Sequence, residues 1–374
     1  MKLSKTWGRW AAFGAALMVC GAVSAQIRVG QTAGVTGAVA DSVKETIEGA
    51  EFAINAANAR GGVNGQKIEL ITLDDKFDPK LAAENARVLI EEKNVSLMFL
   101  TRGTPHTQAI LPLLEKDHIA LLAPSTGAMV FHTPVNPYVF NVRATYQREA
   151  QLAIEQEGTV GLTRIAVLHV DDSFGKDALT GALKGFDKVN LKPLFVEKFD
   201  RSKPDFHAVA ERAAREQPQA VLFIGSGKAV ADGVKAMRAA GATAQMITLS
   251  NNASGGFIKE LGEYAHGTIV TQVFPSERDL SNPLVREATE LARARGIKAV
   301  TPAMLEGYAA GKVLVEALKR AGPNPSRDKI IKTLDNLRDF DLGAGLRVSY
   351  SPTDHTGLTY ADLSIIGAGG TFRR

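Results

Sequence analysis

Cysteine is nearly missing from this 374-residue sequence: there is one, Cys20, so no intramolecular disulfide can form. Tryptophan is almost as scarce, with Trp7 and Trp10 both at the extreme N-terminus. An excess of charge is also missing, since 44 Lys and Arg face 40 Asp and Glu. Three of those bases fall in the first 25 residues, which leaves 41 basic and 40 acidic side chains beyond them. A pI near 9.0 is therefore no sign of nucleic-acid binding. The apolar run from Trp10 to Val23 is shorter than the roughly 20 residues that span a bilayer. The seven histidines show neither an HExxH pair nor another close ligand spacing, so no metal and no cofactor are expected.

The N-terminus has the pattern of an export signal. Lys2, Lys5 and Arg9 precede the apolar run, and Val23-Ser24-Ala25 offers small residues for cleavage before Gln26. Leu17-Met18-Val19-Cys20 has the outline of a lipid-attachment site, but Val19 stands where a small residue is wanted. Residues 1–25 are read as a cleaved signal peptide.

The remaining 349 residues exceed what one hydrophobic core usually supports, which predicts two domains. Short β-branched runs alternate with Ala-, Leu-, Lys- and Glu-rich helical patterns. Strands are expected at 27–30, 68–73, 97–100, 120–123, 165–169, 220–224, 246–249 and 268–273. Helices are expected at 42–60, 79–93, 107–116, 149–157, 176–188, 206–216, 230–240, 283–295, 302–321 and 327–336. This alternation predicts an α/β fold with parallel sheets covered by helices. Ligands of such sheets bind where strands end and helices begin. After Leu100 comes Thr101-Arg102-Gly103-Thr104-Pro105-His106-Thr107, where Thr104 is expected to cap a helix whose free N–H groups suit a carboxylate.

Four further stretches carry a resemblance: Ala33-Gly34-Val35-Thr36-Gly37, Ala59-Arg60-Gly61-Gly62-Val63-Asn64-Gly65, Asp74-Asp75-Lys76-Phe77-Asp78-Pro79 and Ala123-Pro124-Ser125-Thr126. With Asp171-Asp172-Ser173-Phe174-Gly175 and Met237-Arg238-Ala239-Ala240-Gly241, their order resembles type I periplasmic solute-binding proteins of the leucine/isoleucine/valine-binding branch. The resemblance implies two Rossmann-like lobes: residues 26–144 with 273–349, and 145–272 with 350–374. It implies hinge crossings near Arg143–Tyr146, Gln272–Pro275 and Ser349–Pro352. It also implies a periplasmic, monomeric, non-enzymatic receptor that passes a small carboxylate ligand to the permease subunits of an ABC transporter. A sensor that shows its closed form to a signalling receptor is the alternative.

By the same resemblance, Thr104, Ser125 and Gly127 hold the ligand's carboxylate and the polar group beside it. Phe174 covers the ligand, and Ser42, Ser226 and Ser250 shape the rest of the pocket. Arg102 and His106 flank the carboxylate loop, and Tyr146 joins Phe174 as a candidate for stacking on an aromatic ligand. This chain also departs from its relatives. Ser250 stands where they place an acid against the ligand's ammonium, which favours an amine-free carboxylate. Ser42 replaces a tyrosine and is expected to enlarge the pocket, while Phe77 and Gly103 replace a cysteine pair.

Enzyme readings are weaker. Ala123-Pro124-Ser125-Thr126-Gly127 lacks the first glycine of a nucleophile elbow, and Pro134 and Pro137 interrupt the helix that should follow. Gly225-Ser226-Gly227-Lys228 lacks the spacing and the hydroxyl of a phosphate loop.

Overall fold

The computed structural model describes residues 26–374; the expected signal peptide, its cleavage site and Cys20 lie outside the described residues. The chain begins with β1 (Ile27–Ala33), α1 (Ala40–Ala59), β2 (Ile68–Asp74), α2 (Pro79–Arg87), β3 (Leu97–Phe99), α3 (Thr104–Lys116), β4 (Leu121–Leu122) and β5 (Val139–Phe140). These five strands form one parallel sheet in the order β2-β1-β3-β4-β5.

A second set follows: α4 (Tyr146–Thr159), β6 (Ile165–Val170), α5 (Ser173–Lys188), β7 (Val196–Phe199), α6 (His207–Glu216), β8 (Ala220–Ile224), α7 (Gly227–Ala239), β9 (Gln245–Thr248), α8 (Gly255–Leu261) and β10 (Ile269–Gln272). The chain then runs through α9 (Pro283–Ala294), α10 (Pro302–Ala321), α11 (Arg327–Asp335) and the hairpin β11 (Phe340–Asp341) and β12 (Arg347–Val348). It ends in β13 (Asp362–Ile366) and β14 (Phe372–Arg373). The second sheet has the order β14-β13-β10-β9-β8-β6-β7.

The two sheets make the two lobes of a doubly wound α/β protein, as the alternation predicts. The central strands show the buried character of parallel sheets: β6 and β8 are buried at every residue. The second sheet also carries two antiparallel strands, β13 against β10 and β14 against β13. Both strands come from the C-terminal segment, which returns to the second sheet without a crossover helix. The expected helix over 79–93 is α2 followed by one π-type turn at Val88–Glu92.

Helix α10 returns to the first lobe and lies directly on α1. Three glycines permit this approach: a Cβ on Gly49 would stand 1.9 Å from the Met304 carbonyl oxygen, one on Gly307 1.8 Å from that of Thr46, and one on Gly311 2.8 Å from that of Ala50. Met304, Leu305, Ala309, Val313 and Leu314 of α10 share one buried core with Val29, Leu97 and Phe99 of the first sheet.

Residues 350–358 pack on the first sheet's edge. The Tyr350 hydroxyl donates to the Asn141 carbonyl (2.7 Å), Asn141 N–H donates to the His355 carbonyl, and Leu358 N–H donates to the Val142 carbonyl. His355 also stacks on Phe140 with centroids 4.0 Å apart.

Candidate functional site

Two loops at the carboxyl ends of adjacent strands form the first-lobe wall of a cleft. Leu100 after β3 and Ala123 after β4 both have left-handed backbones, with φ of 52° and 53°. Non-glycine residues rarely adopt this conformation, and each costs on the order of 1–3 kcal/mol unless its surroundings impose it. Cross-bonds supply that constraint: Ser125 N–H donates to the Thr101 carbonyl (2.9 Å) and Gly103 N–H to the Ser125 carbonyl (3.4 Å). The paired loops present Arg102, Thr104 and Ser125 side by side.

Arg102 is the central side chain, 5% exposed. Its guanidinium donates to Ser125 Oγ (3.0 Å), weakly to Ser42 Oγ (3.4 Å), and across the cleft to the Asn251 carbonyl (2.7 Å). None of the ion pairs among the described residues includes it; its nearest link to an acid passes through Ser125, whose hydroxyl donates to Glu306 Oε1 at 2.6 Å. Around Arg102, Val39, Phe77, Gly103, Thr104, Tyr146, Phe174, Arg201, Ser226 and Asn251 enclose a cavity of ≈ 20 Å³. Among the described residues this lining contains two arginines and no acid.

The second-lobe wall is built from helix starts. Asp172 caps α5 by accepting from Phe174 N–H (2.9 Å) and Gly175 N–H (3.1 Å), which sets Phe174 at the cavity, 4.7 Å from the Tyr146 ring. The same carboxylate holds Arg201 (Nε to Oδ2, 2.6 Å), whose guanidinium lies 4.8 Å above the Phe77 ring of the first lobe. Phe77 stacks in turn on His106 at 4.4 Å. Lys76 and Phe77 are both left-handed (φ 50° and 61°), held by Asp74, which accepts from Lys76 N–H, and Asp75, which accepts from Phe77 N–H. Burial raises the Asp75 pKa to about 6, against the lowering effect of its bonds to Phe77 N–H and the Thr32 hydroxyl.

A second contact between the lobes lies at the cleft rim. The Glu45 carboxylate of α1 accepts from Gly255 N–H (3.1 Å) and Gly256 N–H (2.9 Å) at the start of α8, and from the Thr301 hydroxyl (2.7 Å). Burial raises its pKa, and those three bonds lower it.

Of the residues expected from sequence, Arg102, Thr104, Tyr146, Phe174 and Ser226 line the cavity. Ser42 and Ser125 touch it through Arg102. The space expected beside Ser42 is taken by the Arg102 guanidinium. Thr104 does not cap α3: Gly103 is the cap residue, and Thr104 is the first helical residue, its hydroxyl bonded to that of Thr126 at 2.7 Å. His106 is fully buried behind Phe77, away from the cavity, and burial lowers its pKa to about 4. Gly127 serves the chain crossing, for a Cβ there would lie 2.6 Å from the Ala144 carbonyl oxygen and 2.8 Å from Tyr146 N.

Ser250 does not face the cavity either. Its hydroxyl accepts from Arg143 Nη2 (2.7 Å) and its N–H donates to Glu149 Oε2 (2.9 Å); the neighbouring Asn251 takes the lining position. Sequence reading missed Val39, Phe77, Arg201 and Asn251 as lining residues, and Arg143, Glu149 and Glu306 behind them. Asn251 was within reach of a helix-start argument, since it follows β9. The buried acids carry no local signal, because each sits inside an ordinary helical pattern.

Comparison with known proteins agrees with this architecture. The model of a family described as periplasmic binding protein matches residues 26–369. The Leu/Ile/Val-binding protein of Escherichia coli K12 is 23% identical over 339 residues, covering 89% of this chain and 82% of that protein. A substrate-binding periplasmic protein from Ralstonia solanacearum superposes with a TM-score of 0.84 at 29% identity, over 93% of this chain and 99% of that one. A possible leucine/isoleucine/valine-binding protein from Rhodopirellula baltica gives 0.85 at 25% identity, over 94% and 96%.

Proposed function

Because the chain belongs to the periplasmic binding protein family, we propose that it captures a small carboxylate-bearing solute between its lobes and delivers it to an ABC-type importer. The observation that carries this reading is Arg102, a buried cation in a two-lobed cavity whose lining offers it no acid. A guanidinium in that setting is completed by a carboxylate, whose two oxygens match its fork of donors. Thr104 and the free N–H groups of the first turn of α3 add donors on the same wall.

The same lining bears on which carboxylate is taken. An ammonium in this cavity would meet Arg102 and Arg201, while Glu149 is occupied by Arg143 and Glu306 by Ser125. Aromatic or branched aliphatic acids without an amine therefore fit better than the amino acids in the names of the relatives. Phe77, Tyr146 and Phe174 supply the apolar and aromatic contacts for such a skeleton.

Capture works by lobe closure. Ligand bound to both walls stabilises the closed arrangement in proportion to its preference for that state. We place the hinge crossings near Arg143–Tyr146, Gln272–Pro275 and Thr359–Ala361. We put the third downstream of Ser349–Pro352 because residues 350–358 bond to Asn141 and Val142, just after β5. In this reading the leader directs the protein to the periplasm, where the permease subunits meet the closed form.

A thermal-shift screen of the chain from Gln26 onward tests the proposal. Ligand at 100 times its Kd adds about 2.7 kcal/mol of stability. Stabilisation by a carboxylate supports the reading, and no response across amino acids, aromatic acids and aliphatic acids contradicts it.

A further inference from the structure

We infer that Arg143 is a positioning residue that sets the balance between open and closed lobes by exchanging partners: Glu149 and Ser250 when closed, Glu306 when open. This rests on the two-lobe capture proposed above.

Arg143 follows β5, where the chain leaves the first sheet, and it is 2% exposed. Its Nη2 donates to Glu149 and to Ser250 Oγ (2.7 Å), both on second-lobe elements. Nε donates to the adjacent Ala144 carbonyl (3.3 Å). Nη1 has no hydrogen-bond partner among the described residues. Facing it is Glu306 on α10 of the first lobe, with Oε2 3.8 Å away.

A buried guanidinium N–H without an acceptor is costly, and a charge-assisted bond would need about 2.8 Å. A displacement of about 1 Å would complete it. Arg143 is thus shared unequally, bonded to one lobe and just short of the other.

The surroundings link this choice to the cleft. Glu306 Oε1 accepts from Ser125, and Ser125 accepts from Arg102. On the opposite side, Glu149 Oε2 accepts from Ser250 N–H and from the Thr271 hydroxyl, one residue before the second crossing. A polar chain, interrupted only by the 3.8 Å gap between Glu306 and Arg143, therefore runs from the cavity cation through Ser125, Glu306 and Arg143 to the second lobe. Closing the cleft on Arg102 and tightening Arg143 on Glu149 belong to the same movement.

The test uses two near-isosteric variants, each of which removes one carboxylate charge, with opposite expected effects. Glu306→Gln weakens the open-state partner and raises the closed-to-open ratio of the ligand-free protein roughly tenfold. Glu149→Gln weakens the closed-state partner and lowers that ratio by a similar factor. The chain from Gln26 holds every described element and has no cysteine, so spin labels at Lys80→Cys and Lys203→Cys report lobe separation directly by double electron–electron resonance. Both positions are exposed, one on α2 and one in the loop after β7. Shifts in opposite directions support the inference, whereas a purely structural role moves both variants the same way or neither, and either result overturns it. If Glu149→Gln fails to fold, Ser250→Ala replaces it with the same expected direction. A single distance shared by wild type and all variants would overturn the open–closed reading itself.

Discussion

Arg102 and Asn251 meet across the cleft, with the guanidinium of the first lobe donating to the carbonyl oxygen of the second at 2.7 Å. The same side chain ties the lobes together and is the counter-charge we propose for a carboxylate. Replacing it with Met keeps the apolar stem and removes both roles. Arg102→Met is expected to weaken carboxylate binding by at least 30-fold, about 2 kcal/mol. Calorimetry showing unchanged affinity would remove Arg102 from the site.

Glu45→Ala tests the rim contact. The substitution deletes the acceptor for two α8 N–H groups and the Thr301 hydroxyl. Because the α8 groups belong to the other lobe, closure should suffer more than folding. Affinity is expected to fall about tenfold, with the labelled lobes shifted toward the longer distance. A changed melting temperature with unchanged affinity would make Glu45 a residue of the first lobe's own stability.

Asp75 gives a pH signature. Its pKa is about 6 in the folded state, above the ordinary value near 4 of an unfolded chain. For a raised acid, the stabilising contribution is complete below the unfolded value and is lost as pH rises through the folded one. Between pH 4 and pH 6 this group therefore makes the protein progressively less stable. Asp75→Asn should remove that slope, improving stability at pH 7.5 relative to pH 4.5 by about 2 kcal/mol compared with wild type. Denaturant midpoints at the two pH values measure it, and parallel changes in both proteins would refute it.

Much of the fold is legible in the sequence, because helices such as 302–321 are long runs rich in Ala and Leu. β5 and β14 are two residues each and offer no period to read. The antiparallel C-terminal strands are set by where the chain returns, which is a tertiary matter. In the site, strand ends pointed to Arg102 and Thr104. They could not show that Ser250 turns toward Arg143 while Asn251 faces the cavity, since one residue in a tight turn decides the difference. Buried acids such as Glu306 are invisible for a related reason: only packing of α10 against α1 brings that carboxylate to Ser125.

That packing yields its own test. Gly307→Ala would place a methyl group 1.8 Å from the Thr46 carbonyl oxygen, a backbone atom that cannot move alone. The helices must separate, and stability should fall by about 3 kcal/mol. An unchanged unfolding midpoint would contradict the close approach of α1 and α10.

The most direct measurement is calorimetric titration of wild type and Arg102→Met with paired solutes that share a skeleton: 4-methylpentanoate with leucine, and 3-phenylpropanoate with phenylalanine. The account predicts that the amine-free member of a pair binds wild type more tightly and loses its affinity in the variant. Tighter binding of leucine or phenylalanine, undiminished without Arg102, would contradict it.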